Sequence, residues 1–164
     1  RRKIVDMFRE QVVRPPPPPK DLTMRYLHTM LRVRDLDAAL RFFCEGLGLQ
    51  LSRRRDSEAG RYSLVFLRSG AADDAAEVEL TWNWDQTEPY TNGRFFGHLA
   101  YETDDIYGLC ARLETLGYPI ARPPRDGRMA FVLSPDGHSV ELLQAGEPLA
   151  PAEPWVSRAN VGAW

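Results

Sequence analysis

Cysteine and histidine are scarce in this chain. Its 164 residues include two cysteines and three histidines. Cys44 and Cys110 lie far apart, within stretches that read as helices, and show no CxxC spacing. Neither a disulfide framework nor a thiol-based metal site is therefore indicated. We expect two free, reduced thiols, as in a cytoplasmic protein.

Long hydrophobic runs and a strong charge bias are also missing. No apolar stretch approaches the roughly 20 residues of a membrane helix. The 21 basic and 23 acidic residues give a net charge of −2, which argues against a nucleic-acid-binding surface. No signal peptide is predicted, because Arg1-Arg2-Lys3 leads into a charged, amphipathic stretch. We therefore predict a cytoplasmic protein with small-molecule partners and without nucleic-acid or membrane partners.

Proline is concentrated near the N terminus. Residues 1–23 predict a surface extension, a short amphipathic helix followed by a polyproline segment at Pro15–Pro19. Residues 24–145 have the composition of one globular domain. Residues 146–164 predict a tail that wraps the surface and packs its tryptophans in shallow pockets.

The central domain consists of two similar halves, of about residues 24–84 and 95–145. In the first half we predict strands at 27–33, 49–53, 62–67 and 78–84, a helix that begins at Leu36 with Asp35 as its cap, and a polar turn at 54–61. In the second half we predict strands at 97–103, 118–122, 129–133 and 139–144, and a helix that begins at Ile106 with Asp104 as its cap. This duplicated βαβββ pattern predicts an α+β fold of two modules.

Each half opens on a histidine and closes on a glutamate. His28 and His98 are 70 residues apart and Glu79 and Glu141 are 62 apart, so the two pairs occupy equivalent positions in the repeat. A carboxylate between apolar neighbours in mid-strand is costly unless it is paired or bound to a metal. Imidazole nitrogens and carboxylate oxygens together suit a divalent first-row metal such as Ni, Co, Zn, Mn or Fe.

Each of these residues alone is more simply interpreted as a satisfied histidine or an edge charge; as a set of four, they favour a metal site. His138 is left out, because it falls on the opposite strand face from Glu141. Alternation also places Arg32 on the face of His28 and Asn83 on the face of Glu79.

Four segments resemble glyoxalase I, the lactoylglutathione lyase family of the vicinal oxygen chelate superfamily. They are residues 24–33 (MRYLHTMLRV), 79–84 (ELTWNW), 96–100 (FGHLA) and 134–142 (SPDGHSVEL). The resemblance implies paired βαβββ modules in a homodimer, with each metal at the interface and held by two ligands from each chain. The ligands implied are His28, Glu79, His98 and Glu141.

The chemistry implied is the isomerisation of a hemithioacetal, formed from methylglyoxal and glutathione, to S-lactoylglutathione. The metal acts as a Lewis acid that stabilises an enediolate, and a carboxylate moves the carbon-bound proton. We take Glu141 as the principal base and Glu79 as the carboxylate that faces it and serves the other substrate enantiomer.

Glutathione carries two carboxylates, so basic residues are expected along its path. The resemblance assigns Arg94 to glutathione binding and places Arg122, or alternatively Arg128, near a basic residue of the family. Arg32 and Asn83 are further candidates. Tyr62, Leu64 and Phe66 are predicted to form the apolar wall beside the small acyl group.

The chain departs from the family in three places. Residues 123–129 are shorter than the usual glycine-rich loop that covers the substrate. Ser134 replaces an aspartate, and residues 69–77 lack the insertion of the zinc-dependent forms. The last departure favours the nickel- or cobalt-activated class over zinc.

Alternative functions share the fold. A metal-dependent epimerase would also use an enolate, and a non-catalytic binding protein of this fold would need no ligand set. An extradiol dioxygenase would need only two histidines and one carboxylate, so the fourth candidate ligand argues against it.

Overall fold

The computed structural model describes residues 25–70 and 76–164. The helix and polyproline segment predicted in residues 1–23 lie outside the described residues, as do residues 71–75 of the 69–77 connection. No helix in the described part of the chain is long and apolar enough to cross a membrane.

The first module contains four strands and one short helix that continues into a π-helical segment. In chain order these are β1 His28–Val33, α1 Leu36–Leu40, the π-helical segment Arg41–Gly46, β2 Gln50–Ser57, β3 Tyr62–Arg68 and β4 Glu77–Asn83. The sheet order is β1-β4-β3-β2, with β1 parallel to β4 and the other pairs antiparallel.

The second module repeats this topology. Its elements are β5 His98–Thr103, α2 Ile106–Thr115, β6 Ile120–Arg122, β7 Met129–Leu133 and β8 Ser139–Gln144. The sheet order β5-β8-β7-β6 has the same pattern of parallel and antiparallel pairs. The predicted duplication of a βαβββ module is therefore confirmed.

One face of each sheet is apolar and packs on the helices. The core side chains of the first sheet include Leu31, Val33, Val65 and Leu80, and they belong to the same buried cluster as Ile106 of α2. Fully burying each such side chain contributes about 1.5–3 kcal/mol. The opposite face of each sheet is more exposed and carries the predicted ligands, His28 and Glu79 in the first module and His98 and Glu141 in the second.

The two modules share this core through a close helix contact. A Cβ on Gly46 would lie 2.9 Å from the Leu113 side chain, so a larger residue would push α2 away. Phe42 and Tyr118 add an edge-to-face aromatic contact across the modules at 5.0 Å. The relative position of the two sheets is therefore fixed by packing.

Helix boundaries were predicted in part. Asp35 caps α1, as predicted, by accepting a hydrogen bond from the Ala38 amide. The predicted cap Asp104 is wrong, because the cap is Asp105, which accepts from the Gly108 amide; the helix itself begins at Ile106, as predicted. Gly117 ends α2 with φ 91°, a conformation that favours glycine.

The helical spacing of Leu36, Ala39, Leu40, Phe43 and Leu47 predicts an apolar stripe without Phe42, whereas Phe42 is fully buried. The π-helical turn accounts for this difference, because its wider spacing turns both Phe42 and Phe43 inward.

The predicted polar turn at residues 54–61 is wrong for most of its length. Strand β2 runs from Gln50 to Ser57, and the turn is confined to residues 58–61. β2 is an edge strand with a bulge between Leu51 and Arg53, and it is exposed along almost its whole length. Since nothing on this strand has to be buried, pairing with β3 overrides its charged composition. A smaller boundary error is that β6 begins at Ile120, two residues after the predicted start.

Both cysteines are free, as predicted. Cys110 belongs to the core, and burial raises the pKa of its thiol to about 12. A thiol of this kind is an inert packing residue.

Candidate metal and substrate site

The first predicted ligand pair lies on the exposed face of the first sheet. The Nε2 atom of His28 lies 2.9 Å from Oε2 of Glu79. Strand β1 places Met30 opposite Glu79, so His28 reaches the carboxylate diagonally from the neighbouring strand. Phe66, opposite Glu79 on β3, meets the imidazole edge-on with ring centroids 5.6 Å apart.

The second predicted pair repeats this geometry on the second sheet. Nε2 of His98 lies 3.1 Å from Oε2 of Glu141. Phe131 lies opposite Glu141 on β7 and meets His98 edge-on at 5.4 Å. Each half of the chain thus contains the same His–Glu–Phe arrangement.

The two pairs remain separate within one chain. Among the residues that the structure describes, no three His, Cys, Asp or Glu side chains lie close enough to hold a metal ion. The glutamates are 12% and 17% exposed and the histidines 35% and 43% exposed. Each pair therefore offers one nitrogen and one oxygen, a donor set that suits a divalent metal, at a surface that a further group can reach.

The two glutamates differ in how they are held. The hydroxyl of Thr81 donates to Oε1 of Glu79 at 3.2 Å, which fixes that carboxylate on both sides. The equivalent position beside Glu141 is Leu143, opposite Glu102 on β5, and a leucine offers no hydrogen bond. Glu141 is consequently less constrained in orientation than Glu79.

Strand register places the other predicted residues of the first module on the same face as Glu79. Arg32 lies opposite Thr81 and is exposed. Asn83 lies opposite Tyr62 and donates to the Tyr90 hydroxyl at 3.0 Å. The remaining two positions, Leu64 opposite Thr81 and Phe66 opposite Glu79, complete an apolar row along β3.

The remaining predicted arginines lie outside this row. Arg94 is exposed in the turn that precedes β5. Arg122 lies opposite Phe131 on the site face of the second sheet, and its guanidinium bonds to Asp126 and to the Met129 carbonyl oxygen. The alternative residue, Arg128, is exposed and donates to the Gly146 carbonyl oxygen.

Sequence reasoning missed the residues that cover Phe66. The guanidinium of Arg53 lies 3.6 Å above that ring and pairs with Glu77. Ser52 also donates to Glu77, and these hydrogen bonds, that of Ser52 above all, hold the pKa of the Glu77 carboxyl below its usual value. Arg53 was missed because β2 was predicted to end there.

The corresponding cover in the second module comes from the C-terminal segment and was also missed. Trp164 stacks on Phe131 with ring centroids 5.9 Å apart and 28° between the planes. It borders a half-open cavity of about 480 Å³ whose other walls include Phe96, His98 and Ser139. The equivalence of Phe131 to Phe66 in the repeat could have identified the ring, but no sequence pattern points to Trp164.

His138 has a structural role, in keeping with its exclusion from the ligand set. Its Nδ1 lies 2.9 Å from the Ser134 hydroxyl, which also accepts from the His138 amide at 3.0 Å. Burial lowers the pKa of His138 from its usual value. Ser134 therefore stabilises the turn 134–138, whose Asp136 accepts from the Arg34 amide of the first module at 3.0 Å.

Comparison with known proteins agrees with this geometry. The family model described as the Glyoxalase/Bleomycin resistance protein/Dioxygenase superfamily matches residues 25–142. The chain is 44% identical over 126 residues to a lactoylglutathione lyase of Neisseria meningitidis, which covers 74% of this chain and 91% of that protein.

Solved structures give the same result. The trypanothione-dependent glyoxalase I of Leishmania major matches with a TM-score of 0.70 at 38% identity, over 74% of this chain and 87% of that one. Glyoxalase I of Zea mays matches with a TM-score of 0.68 at 35% identity, over 75% of this chain but only 45% of the longer maize chain. The chain therefore belongs to the glyoxalase/bleomycin resistance protein/dioxygenase superfamily, in the group of relatives named lactoylglutathione lyase.

Proposed function

We propose that this protein is a homodimeric glyoxalase I that converts the hemithioacetal of methylglyoxal and glutathione to S-lactoylglutathione. The observation that carries the proposal is the duplicated His–Glu pair, with Nε2 and Oε2 facing each other at 2.9 and 3.1 Å on equivalent strands. Relatives named lactoylglutathione lyase support the substrate class. The free cysteines support a cytoplasmic location.

The homodimer follows from the incompleteness of each pair. Two ligands leave a divalent metal far from its preferred coordination, so a second pair has to come from another copy. The site face of the first sheet also exposes Met30, at 42%, near exposed Tyr26 and Leu27 at the start of β1. The maize relative supports this arrangement, because its chain has room for about two units of the matched length.

His28, Glu79, His98 and Glu141 would hold the metal, each site taking one pair from each chain. A divalent metal bound there supplies Lewis-acid stabilisation of the negative charge that develops on adjacent substrate oxygens. The edge-on contacts of Phe66 and Phe131 orient the two imidazoles and keep water from one side of each pair.

Glu141 acts as the principal base. Its carboxylate lacks the Thr81-type hydrogen bond that fixes Glu79, so it can turn towards the carbon-bound proton, accept it and return it to the neighbouring carbon. Glu79 is held in place and acts mainly as a ligand, with a second role towards the other substrate enantiomer.

Arg32, Asn83, Arg94 and Arg122 are proposed to hold the polar ends of glutathione. Arg32 is exposed on the His28 face, and Asn83 lies beside Tyr62 on the same sheet. Tyr62, Leu64 and Phe66 form an apolar surface between these polar groups. Arg122 needs to leave Asp126 to reach a ligand, which makes it the residue of this group that ligand binding would displace most.

Nickel or cobalt is proposed in preference to zinc, on the short 69–77 connection alone. Chelated protein reloaded with each metal is expected to turn over fastest with nickel or cobalt, and zinc giving the highest rate would contradict this assignment.

The function is tested by mixing the metal-loaded protein with methylglyoxal and glutathione and following thioester absorbance. We expect wild type to form thioester and Glu141→Gln to lower the rate to about 1% of wild type or less. The control Glu58→Gln, in the exposed turn 58–61, should leave the rate unchanged. Trypanothione in place of glutathione tests the thiol, since one relative uses it. Absence of thioester with either thiol and any metal would overturn the proposal.

A further inference from the structure

The C-terminal segment is attached to the second module at successive points. The Leu149 amide donates to the Gly127 carbonyl at 3.1 Å, and the Tyr107 hydroxyl donates to the Ala150 carbonyl at 3.1 Å. Trp155 is buried and stacks parallel to Tyr107. The predicted packing in a shallow surface pocket is therefore wrong for Trp155, which is part of the buried core.

Further contacts guide the segment around the edge of the sheet. Arg125 donates to the Arg158 carbonyl at 2.8 Å and to the Asn160 side chain at 2.9 Å. The Val161 amide then donates to the Ala121 carbonyl of β6 at 2.8 Å. These bonds bring the last residues from the helix side of the sheet to its site face, where Trp164 meets Phe131.

The cavity that Trp164 borders has both apolar and polar walls. Its lining includes three aromatic rings, of Phe96, Phe131 and Trp164, together with the polar side chains of His98 and Ser139. The Ser139 hydroxyl is buried and has no hydrogen-bond partner among the described residues. A buried hydroxyl without a partner is costly, and rotation of the Ser139 side chain towards the cavity would let it bond to a polar atom of a substrate.

We propose that Trp164 is a specificity-determining residue: its indole forms one wall of the cavity beside His98 and limits the size of the carbon group next to the reacting carbons of the substrate. This inference rests on the proposed function. The indole stacks on the ring of Phe131, as the Arg53 guanidinium lies over the ring of Phe66 in the first module. A small alkyl group fits beside it, whereas an aryl group competes with it for the face of Phe131.

The test compares hemithioacetals of methylglyoxal and phenylglyoxal in wild type, Trp164→Ala, Trp164→Phe and Val156→Ala. Trp164→Ala is expected to raise kcat/KM for the phenyl substrate relative to the methyl substrate by about tenfold, the scale of a change in pocket size. Trp164→Phe should keep most of the discrimination. Val156 is exposed in the same segment and does not line the cavity, so Val156→Ala should keep the wild-type ratio.

A binding measurement separates this inference from the proposed function. In Trp164→Ala, the affinity for S-benzylglutathione measured by calorimetry should rise relative to that for S-methylglutathione, as kcat/KM does for the phenyl substrate. This shift is expected whether or not wild type forms thioester. Ligand binding should also change the fluorescence of wild type more than that of Trp164→Phe. If wild type formed no thioester but Trp164→Ala still changed the relative affinity for the two ligands, the proposed reaction would be contradicted and the role of Trp164 would be supported.

Two outcomes would overturn the proposal. One is a phenyl-to-methyl ratio in Trp164→Ala within about twofold of wild type, in turnover and in binding. The other is a change only in the dimer dissociation constant, measured by sedimentation, which would assign Trp164 to the subunit interface.

Discussion

The two modules share one backbone plan and differ in what covers their ligand pairs. In the first, Arg53 lies over Phe66 and pairs with Glu77 opposite His28. In the second, Trp164 lies over Phe131, and the position opposite His98 is occupied by Ser139, whose hydroxyl has no hydrogen-bond partner within residues 25–70 and 76–164. The duplication therefore keeps the His–Glu geometry, while the group over the phenylalanine ring is a guanidinium in the first module and an indole in the second.

This difference matches the two ends of the proposed substrate. The charged cover of the first module suits a carboxylate of glutathione, and the cavity beside His98 suits the small acyl group. This proposal moves the acyl group from the Tyr62, Leu64 and Phe66 row expected from the sequence to Phe131 and Trp164. Two equivalent His–Glu pairs would then bind an asymmetric molecule in one orientation, because the residues around the pairs differ.

The strongest way to break the equivalence of the modules is to neutralise each glutamate in turn. Glu141→Gln should lower kcat by about 100-fold or more, because the amide can still offer an oxygen to a metal but cannot accept a proton. Glu79→Gln should cost less in kcat and more in metal affinity. Steady-state kinetics together with metal content by mass spectrometry would show this, and an equal or larger kcat loss in Glu79→Gln would reverse the assignment of the base.

A second prediction concerns Arg94, in the connection between the modules. Arg94→Ala should raise KM and leave kcat nearly unchanged, because a contact to a glutathione carboxylate is the same in ground and transition states. The loss should be about 1.5–3 kcal/mol, the scale of a hydrogen bond to a charged group. Arg25→Ala, in the exposed start of the described chain, is the matched control. A fall in kcat at constant KM would place Arg94 at the reacting atoms instead.

The smallest effect is expected at His138, which docks the turn of the second module. Burial lowers its pKa in the fold, so the unfolded chain binds more protons, and the stability that neutral His138 provides is lost as pH falls below about 6.5. His138→Asn should reduce the free energy of unfolding by about 1 kcal/mol at about pH 7.5, and the difference from wild type should narrow at about pH 5.5. Urea unfolding of both proteins at the two pH values measures this, and a difference that widens on acidification would contradict the sign.

Much of the fold and the ligand pairs could be predicted from the sequence. Alternation along β3 and β4 correctly separated Phe66 and Glu79 from the core residues, since a strand that is buried on one face has a strict period of two. The spacing of His28, Glu79, His98 and Glu141 located both His–Glu pairs, because equivalent positions in a duplicated module occupy equivalent places in space.

The covers of the two pairs could not be predicted. Arg53 lies on the edge strand β2, whose pairing with β3 depends on tertiary structure. The charged residues that follow Arg53 on this strand were therefore predicted to form a turn. Trp164 reaches Phe131 only through contacts such as those of Arg125 with Arg158 and Asn160, which no local periodicity encodes.

In the proposed homodimer, each active site takes one His–Glu pair from each of two chains. Mixing two inactive variants, His28→Ala/Glu79→Ala and His98→Ala/Glu141→Ala, under conditions in which subunits exchange, tests this arrangement. In a two-fold symmetric dimer, each mixed dimer contains one site with all four ligands, so random mixing should restore about a quarter of wild-type activity. Activity that stays at the level of the separate variants after exchange, with mixed dimers detected by native mass spectrometry, would contradict the shared site.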